Sequence, residues 1–74
     1  MFQVTAIYQD CEVGYGEADS ESDSGLAYAL EECIESVDSF YRPVLSDVTL
    51  HVIGAGIPAR LTMDAARAVI SRCS

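Results

Sequence analysis

The sequence predicts an α+β fold: a two-layer domain of ββαββα order, with an antiparallel four-stranded sheet carrying two helices on one face. Three observations predict it. Short segments alternate apolar and polar residues at the period of a strand, two longer segments repeat apolar residues at the period of a helix, and each helical segment follows a pair of strands. Packing both apolar stripes on one side of the sheet pools them into a single core, which a 74-residue chain needs. Residues 1–74 therefore read as one compact acidic domain.

Residues 2–8 place Phe2, Val4, Ala6 and Tyr8 on one side and Gln3 and Thr5 on the other, as a strand does. Gln9-Asp10-Cys11-Glu12 can turn the chain, and Val13, Tyr15 and Glu17 return as a second strand. Gly14 and Gly16 weaken that strand and point to a bulge or a close backbone approach. The polar run Asp19–Ser24 is rich in capping residues, and either Ser20 with Asp23 or Ser22/Ser24 starts the next element. Leu26, Leu30, Cys33, Ile34, Val37 and Tyr41 recur at helical spacing, so a helix is expected from about 24 to 40. Arg42-Pro43 stops it, because the residue before proline avoids the α region.

Val48, Leu50 and Val52 alternate with Thr49 and His51 as a third strand. Gly54-Ala55-Gly56 makes a hairpin turn, and Ile57 to Leu61 returns as a fourth strand, which Pro58 confines to an edge or to its first residues. Thr62 caps a final helix whose Met63, Ala66, Ile70 and Cys73 form one stripe. Asp64 in its first turn and Arg72 in its last suit the helix dipole. The two ββα halves share a pattern and no residue-level repeat.

Half the residues are apolar, which excludes a disordered acidic tail. No apolar run approaches the ~20 residues that span a bilayer, and the start lacks the basic region of a secretory signal. The expectation is a cytoplasmic protein beginning at its own initiator methionine. Cys11, Cys33 and Cys73 are odd in number and widely spaced, which argues against a zinc site or a disulfide framework. Buried free thiols are expected for Cys33 and Cys73 on apolar helix faces, with Cys11 in a turn closer to solvent.

Charge is the feature that bears most on function. Ten of the twelve carboxylates lie between Asp10 and Asp38, a stretch with no Lys and no Arg. Residues 1–40 carry −10, while residues 41–74 carry four Arg against Asp47 and Asp64, or +2, for a net −8. Same-sign crowding destabilises the compact state, so a concentrated negative surface points to a basic partner. Glu31, Glu35 and Asp38 fall at i, i+4 and i+7 opposite the apolar stripe, with Glu32 and Tyr28 beside them. Like charges at i, i+4 cost a helix ~0.2–0.5 kcal/mol each, and Asp38 sits near the negative end of the dipole. Upstream, Glu17, Asp19, Glu21 and Asp23 alternate with Ala18, Ser20 and Ser22. An extended backbone puts those four carboxylates on one side at ~6.6–6.8 Å spacing, comparable to successive phosphates of a nucleic-acid strand. The same acids repel nucleic acid, so no direct nucleic-acid binding is expected.

Other motifs are weaker. Asp19-x-Glu21-x-Asp23 resembles the start of an EF-hand calcium loop, but the glycine comes one position late and Leu30 replaces the bidentate Glu. Asp23-Ser24-Gly25-Leu26 resembles the Asp-Ser-Leu helix of acyl carrier proteins, interrupted by Gly25 and set among strands. His51 has no nucleophile or carboxylate that the sequence places beside it, and reads as a half-exposed strand residue. No catalytic residue, cofactor or resident metal is expected. Tyr8, Tyr15, Tyr28 and Tyr41 serve either as interface anchors or as partly buried packing.

Ile7-Tyr8-Gln9-Asp10 entering a turn, Gly14-Tyr15-Gly16-Glu17, and the acidic cap leading into Leu26-Ala27-Tyr28-Ala29-Leu30-Glu31-Glu32 give residues 1–40 a family likeness. In this style the chain resembles small phage- or prophage-encoded anti-CRISPR inhibitors, a group without a common sequence signature. The resemblance implies a non-enzymatic inhibitor in a bacterial cytoplasm that occupies the nucleic-acid-binding surface of a CRISPR surveillance complex. It implies partner-binding roles for Glu17, Asp19, Glu21, Asp23, Tyr28, Glu31, Glu32, Glu35 and Asp38. The alternative is a generic binding module, antitoxin-like or an assembly partner, with an apolar and tyrosine-bearing interface. A monomer and a homodimer both fit, and no membrane association is expected.

Overall fold

The alternation at the start of the chain forms β1 (Phe2–Tyr8), and the chain returns at once as β2 (Cys11–Ala18). A computed structural model describes residues 1–20, 22–54 and 59–73. Tyr8 pairs with Cys11, so the turn is only Gln9-Asp10, with φ of 50° and 65°. Two left-handed central residues give the turn the right-handed twist of a hairpin. Neither residue is glycine, and the left-handed region costs an L-residue ~1–2 kcal/mol. The register then slips between Ala6/Gly14 and Ile7/Glu12, leaving Val13 as the extra residue of a β-bulge.

After the bend at Asp19, α1 (Asp23–Ser36) begins with Ser22 as its N-cap, the hydroxyl accepting the Gly25 N–H at 3.3 Å. A 3₁₀ segment (Ser39–Asp47) leads to β3 (Thr49–Ile53), β4 (Ala59–Thr62) and α2 (Met63–Arg72). Thr62 caps α2 as its sequence position predicts, accepting the Ala65 N–H at 3.1 Å. The expected hairpin turn and the start of the fourth strand fall, from Ala55 to Pro58, outside the described residues.

The sheet has the order β2-β1-β3-β4 and is antiparallel throughout. Val4 pairs with Val52 and Ala6 with Leu50, which puts the four most central side chains on one face. Ala29, Leu30 and Cys33 of α1 and Met63 and Ala66 of α2 close over them, and all are buried. The α+β architecture with both helices on one face is thus the observed one. Along the other face run two complete cross-strand rows, Tyr15–Thr5–His51–Arg60 and Glu12–Ile7–Thr49–Thr62, with Glu17, Gln3 and Ile53 beside them. No described helix lies on that face, an arrangement antiparallel sheets accommodate.

The glycines of β2 explain how α1 reaches the sheet. A Cβ on Gly16 would collide with the Ala29 carbonyl oxygen and the Cys33 nitrogen, both helix backbone. A Cβ on Gly14 would stand 2.9 Å from the Cys33 oxygen and 2.9 Å from Val37 Cγ2. Ala29 offers no bulk on the facing side, so helix and strand backbones touch.

Three expectations need correction. The helix expected to about residue 40 ends at Ser36, where Val37 turns extended with φ −61° and ψ 128°. Val37 still faces the core as the C-cap of α1, and the 3₁₀ segment carries Tyr41 back to it, where Tyr41 packs on Tyr8 with ring centres 5.8 Å apart. Second, Asp38, expected in the helical row near the negative end of the dipole, lies beyond α1 as the cap of the 3₁₀ segment, and the helix end has a cation. Arg42 donates from Nη2 to the Glu35 carbonyl at 2.8 Å and from Nε to the Val37 carbonyl at 3.3 Å, supplying the cation that the dipole favours. Third, Cys73 is exposed, because α2 stops at Arg72 and Cys73 lies past the buried stripe. Among the described residues no helix is long and apolar enough to cross a membrane.

Candidate partner-binding face

Helical geometry gathers the acidic residues of α1. Tyr28, Glu31, Glu32 and Glu35 project opposite the buried Gly25/Ala29/Leu30/Cys33 side, and together they line a groove of about 210 Å³. Glu31 and Glu35 lie one turn apart, about 6 Å along the axis. Tyr28 is 61 % exposed, an aromatic ring held at the surface among three carboxylates. No described arginine forms an ion pair with a described carboxylate, and Arg42, the one nearest the α1 C-terminus in sequence, is engaged with main-chain carbonyls. The acids of α1 thus have no described arginine paired to them.

One wall of the groove meets the sheet edge. Glu32 Oε1 lies 3.4 Å from the Glu17 nitrogen, which donates to it. A turn further on, Ser36 Oγ accepts the Tyr15 N–H at 2.7 Å and lies 2.8 Å from both the Tyr15 and the Cys33 carbonyl oxygens, either of which takes its proton. The Asp38 N–H reaches the Val13 oxygen at 3.4 Å. These contacts occupy the outward main-chain groups of β2, an edge that would otherwise accept another strand. Nothing in the sequence pairs Ser36 or Arg42 with these partners. The strand glycines were the one signal that a helix sits there.

The other predicted site residues scatter. The extended acidic segment from Glu17 to Asp23 does not exist as an array, because β2 ends at Ala18 and Asp23 is already the first residue of α1. Its run of serines takes the chain round instead, with Ser20 and Ser22 hydroxyls 2.6 Å apart and Ser22 and Ser24 hydroxyls 3.0 Å apart. Asp23 sits where a helix N-terminus favours negative charge. Asp19 is exposed in the bend after β2, and Glu21 lies outside the described residues. Asp38 leaves the helical row and caps the 3₁₀ segment, its Oδ1 accepting the Phe40 N–H at 2.9 Å. The Glu17 carboxylate belongs to the helix-free sheet face, where it accepts the Tyr15 hydroxyl at 3.1 Å. Four of the nine residues share one groove, and of the rest the described ones, Glu17, Asp19, Asp23 and Asp38, do not line it.

Titration behaviour follows burial and charge. The Cys33 thiol is pushed up to about 11, chiefly by burial and slightly by Glu12, against a main-chain hydrogen bond with Ala6 that acts the other way. It is a packing residue, whereas Cys11 and Cys73 are exposed, the Cys73 thiol reaching the Asp23 carbonyl at 3.4 Å. The Tyr15 phenol lies above its ordinary value, through partial desolvation first, then the Glu17 hydrogen bond and the nearby carboxylates. Among the described residues no three His, Cys, Asp or Glu side chains converge in a way that could hold a metal ion.

The arrangement offers a negative, aromatic-bearing groove on a helix fixed tightly to its sheet. Compared with known proteins, the chain matches no family model, no curated protein and no solved structure.

Proposed function

We propose that the chain is a non-enzymatic acidic inhibitor that presents the outer face of α1 to a basic, nucleic-acid-binding surface of a protein complex. One observation carries the reading: Tyr28, Glu31, Glu32 and Glu35 line a common groove without a single arginine paired to them. The i, i+4 repulsion between Glu31 and Glu35 is a standing cost of ~0.2–0.5 kcal/mol that a row of cationic side chains turns into attraction. The ~6 Å axial step between those two acids approaches the pitch of phosphates along a strand, so Lys/Arg sites that hold a backbone can hold this helix. A CRISPR surveillance complex is the target class that the resemblance of residues 1–40 implies.

The test is affinity capture from bacterial extract at about 50 and about 200 mM salt, a range over which multi-phosphate contacts lose several decades of affinity. The expected catch is a basic nucleic-acid-binding protein, released at the higher salt and displaced by DNA. The Glu31→Lys/Glu35→Lys variant is expected to catch nothing. A partner that this variant retains in full rules the acidic face out. The second reading, a binding module with an apolar and aromatic interface, is favoured by Phe40 at 81 % exposure and by Tyr28. It predicts capture that is indifferent to salt and lost on Tyr28→Ala or Phe40→Ala.

A further inference from the structure

We propose that the helix-free face of the sheet is a self-complementary surface through which two copies of this chain pair face to face. Its charge is divided across the strands. Glu12, Tyr15 and Glu17 stand on β2 at one edge, while His51 and Arg60 stand on β3 and β4 at the other. A two-fold axis running parallel to the strands lays β2 of each copy over β4 of its mate, as aligned sheet packing and an isologous interface require. The row Tyr15–Thr5–His51–Arg60 then faces its own reverse. Arg60 of one copy comes over the Tyr15 ring of the other, a cation–π position, with Glu12 and Glu17 on either side of it.

The Tyr15 ring is itself 40 % exposed and so open to the opposing Arg60. Ile53, 58 % exposed on the same face, is apolar surface that pairing removes from water. A chain of this length gains a second layer of core by such pairing, the usual remedy for a small domain. The four strands span only about 15 Å, so the association belongs to the small, weak class of interfaces. Both α1 grooves stay on the outside of the pair, so this inference stands apart from the inhibitor proposal and survives its failure.

The experiment is sedimentation equilibrium of the full chain at about 0.15 M salt, where a Debye length of ~8 Å screens the net −8 of each copy. The expected species is a reversible dimer of twice 8.0 kDa. Arg60→Glu is expected to weaken it about tenfold or more. The exchange Glu17→Arg/Arg60→Glu restores opposite charges across the axis and is expected to recover most of that loss. Tyr15→Ala also weakens the pair, and circular dichroism checks that each variant stays folded. A chain that remains monomeric to about 1 mM, or a dimer that neither Arg60→Glu nor Tyr15→Ala weakens, overturns the proposal. So does a double exchange that binds no better than Arg60→Glu alone.

Discussion

The two halves of this sheet are held by different means. On the β1/β2 side, α1 is pressed so close that backbone meets backbone at Gly16, and helix side chains fill the hydrogen-bonding edge of β2. On the β3/β4 side, α2 covers a shorter strand whose residues Ala59, Arg60 and Thr62 are exposed. The first half is also the acidic one, and it contains the groove of Tyr28, Glu31, Glu32 and Glu35. The charged helix is thus seated on its sheet by direct backbone contact. Its mutually repelling carboxylates are tolerated because the opposite side of the same helix is locked by contacts that leave no slack.

Substitutions in the two halves sharpen that contrast. Gly16→Ala forces a methyl into the α1 backbone and is expected to cost about 3 kcal/mol or more, read from urea unfolding, whereas Ala59→Val in exposed β4 stays within ~0.5 kcal/mol. Equal costs would show that the seam is no tighter than the far edge. A second contrast is chemical. Cys33, with its thiol near 11, is expected to alkylate at least about a hundredfold more slowly than Cys11 or Cys73 at pH 8, followed by mass spectrometry of each peptide. The same shift couples to pH. The unfolded thiol ionises near 9.0 while the folded one holds its proton to about 11, so stability is expected to fall as pH rises through that window. The raised Tyr15 phenol acts in the same direction.

Smaller effects follow. Ser36→Ala removes the plug on β2 and is expected to cost about 1 kcal/mol, together with faster hydrogen exchange at the Tyr15 amide. Exchange unchanged at Tyr15 would place the protection elsewhere. Gln9→Asn with Asp10→Gly relieves the two left-handed turn residues and is expected to add about 1 kcal/mol, seen as a higher Tm. Because it acts on a turn remote from the groove, it should leave partner capture untouched.

Much of this fold was legible from local pattern. The alternation of Val4 and Ala6, the caps at Ser22 and Thr62, and the paired glycines each report a local requirement that the structure honours. The end of α1 was not legible, because Val37 and Tyr41 keep helical phase through a change of backbone that periodicity does not register. The contacts of Arg42 and Ser36 depend on how far helix and strand approach, which no spacing rule supplies. Of the candidate site, the half that rides on helical geometry assembled at Tyr28, Glu31, Glu32 and Glu35. The half that assumed an extended backbone from Glu17 to Asp23 dissolved, since Ser22 starts the helix inside it. The sorting of Tyr15 and Arg60 to opposite margins of one sheet face required the strand order.

The stopper that Ser36 and Glu32 form on β2 also bears on what happens when this protein is crowded. A domain with two open margins can add copies without end and lengthen into a fibril. Here a second single chain that joined edge to edge through β4 would turn its own stoppered margin outward, so a run built by that pairing alone would terminate at two.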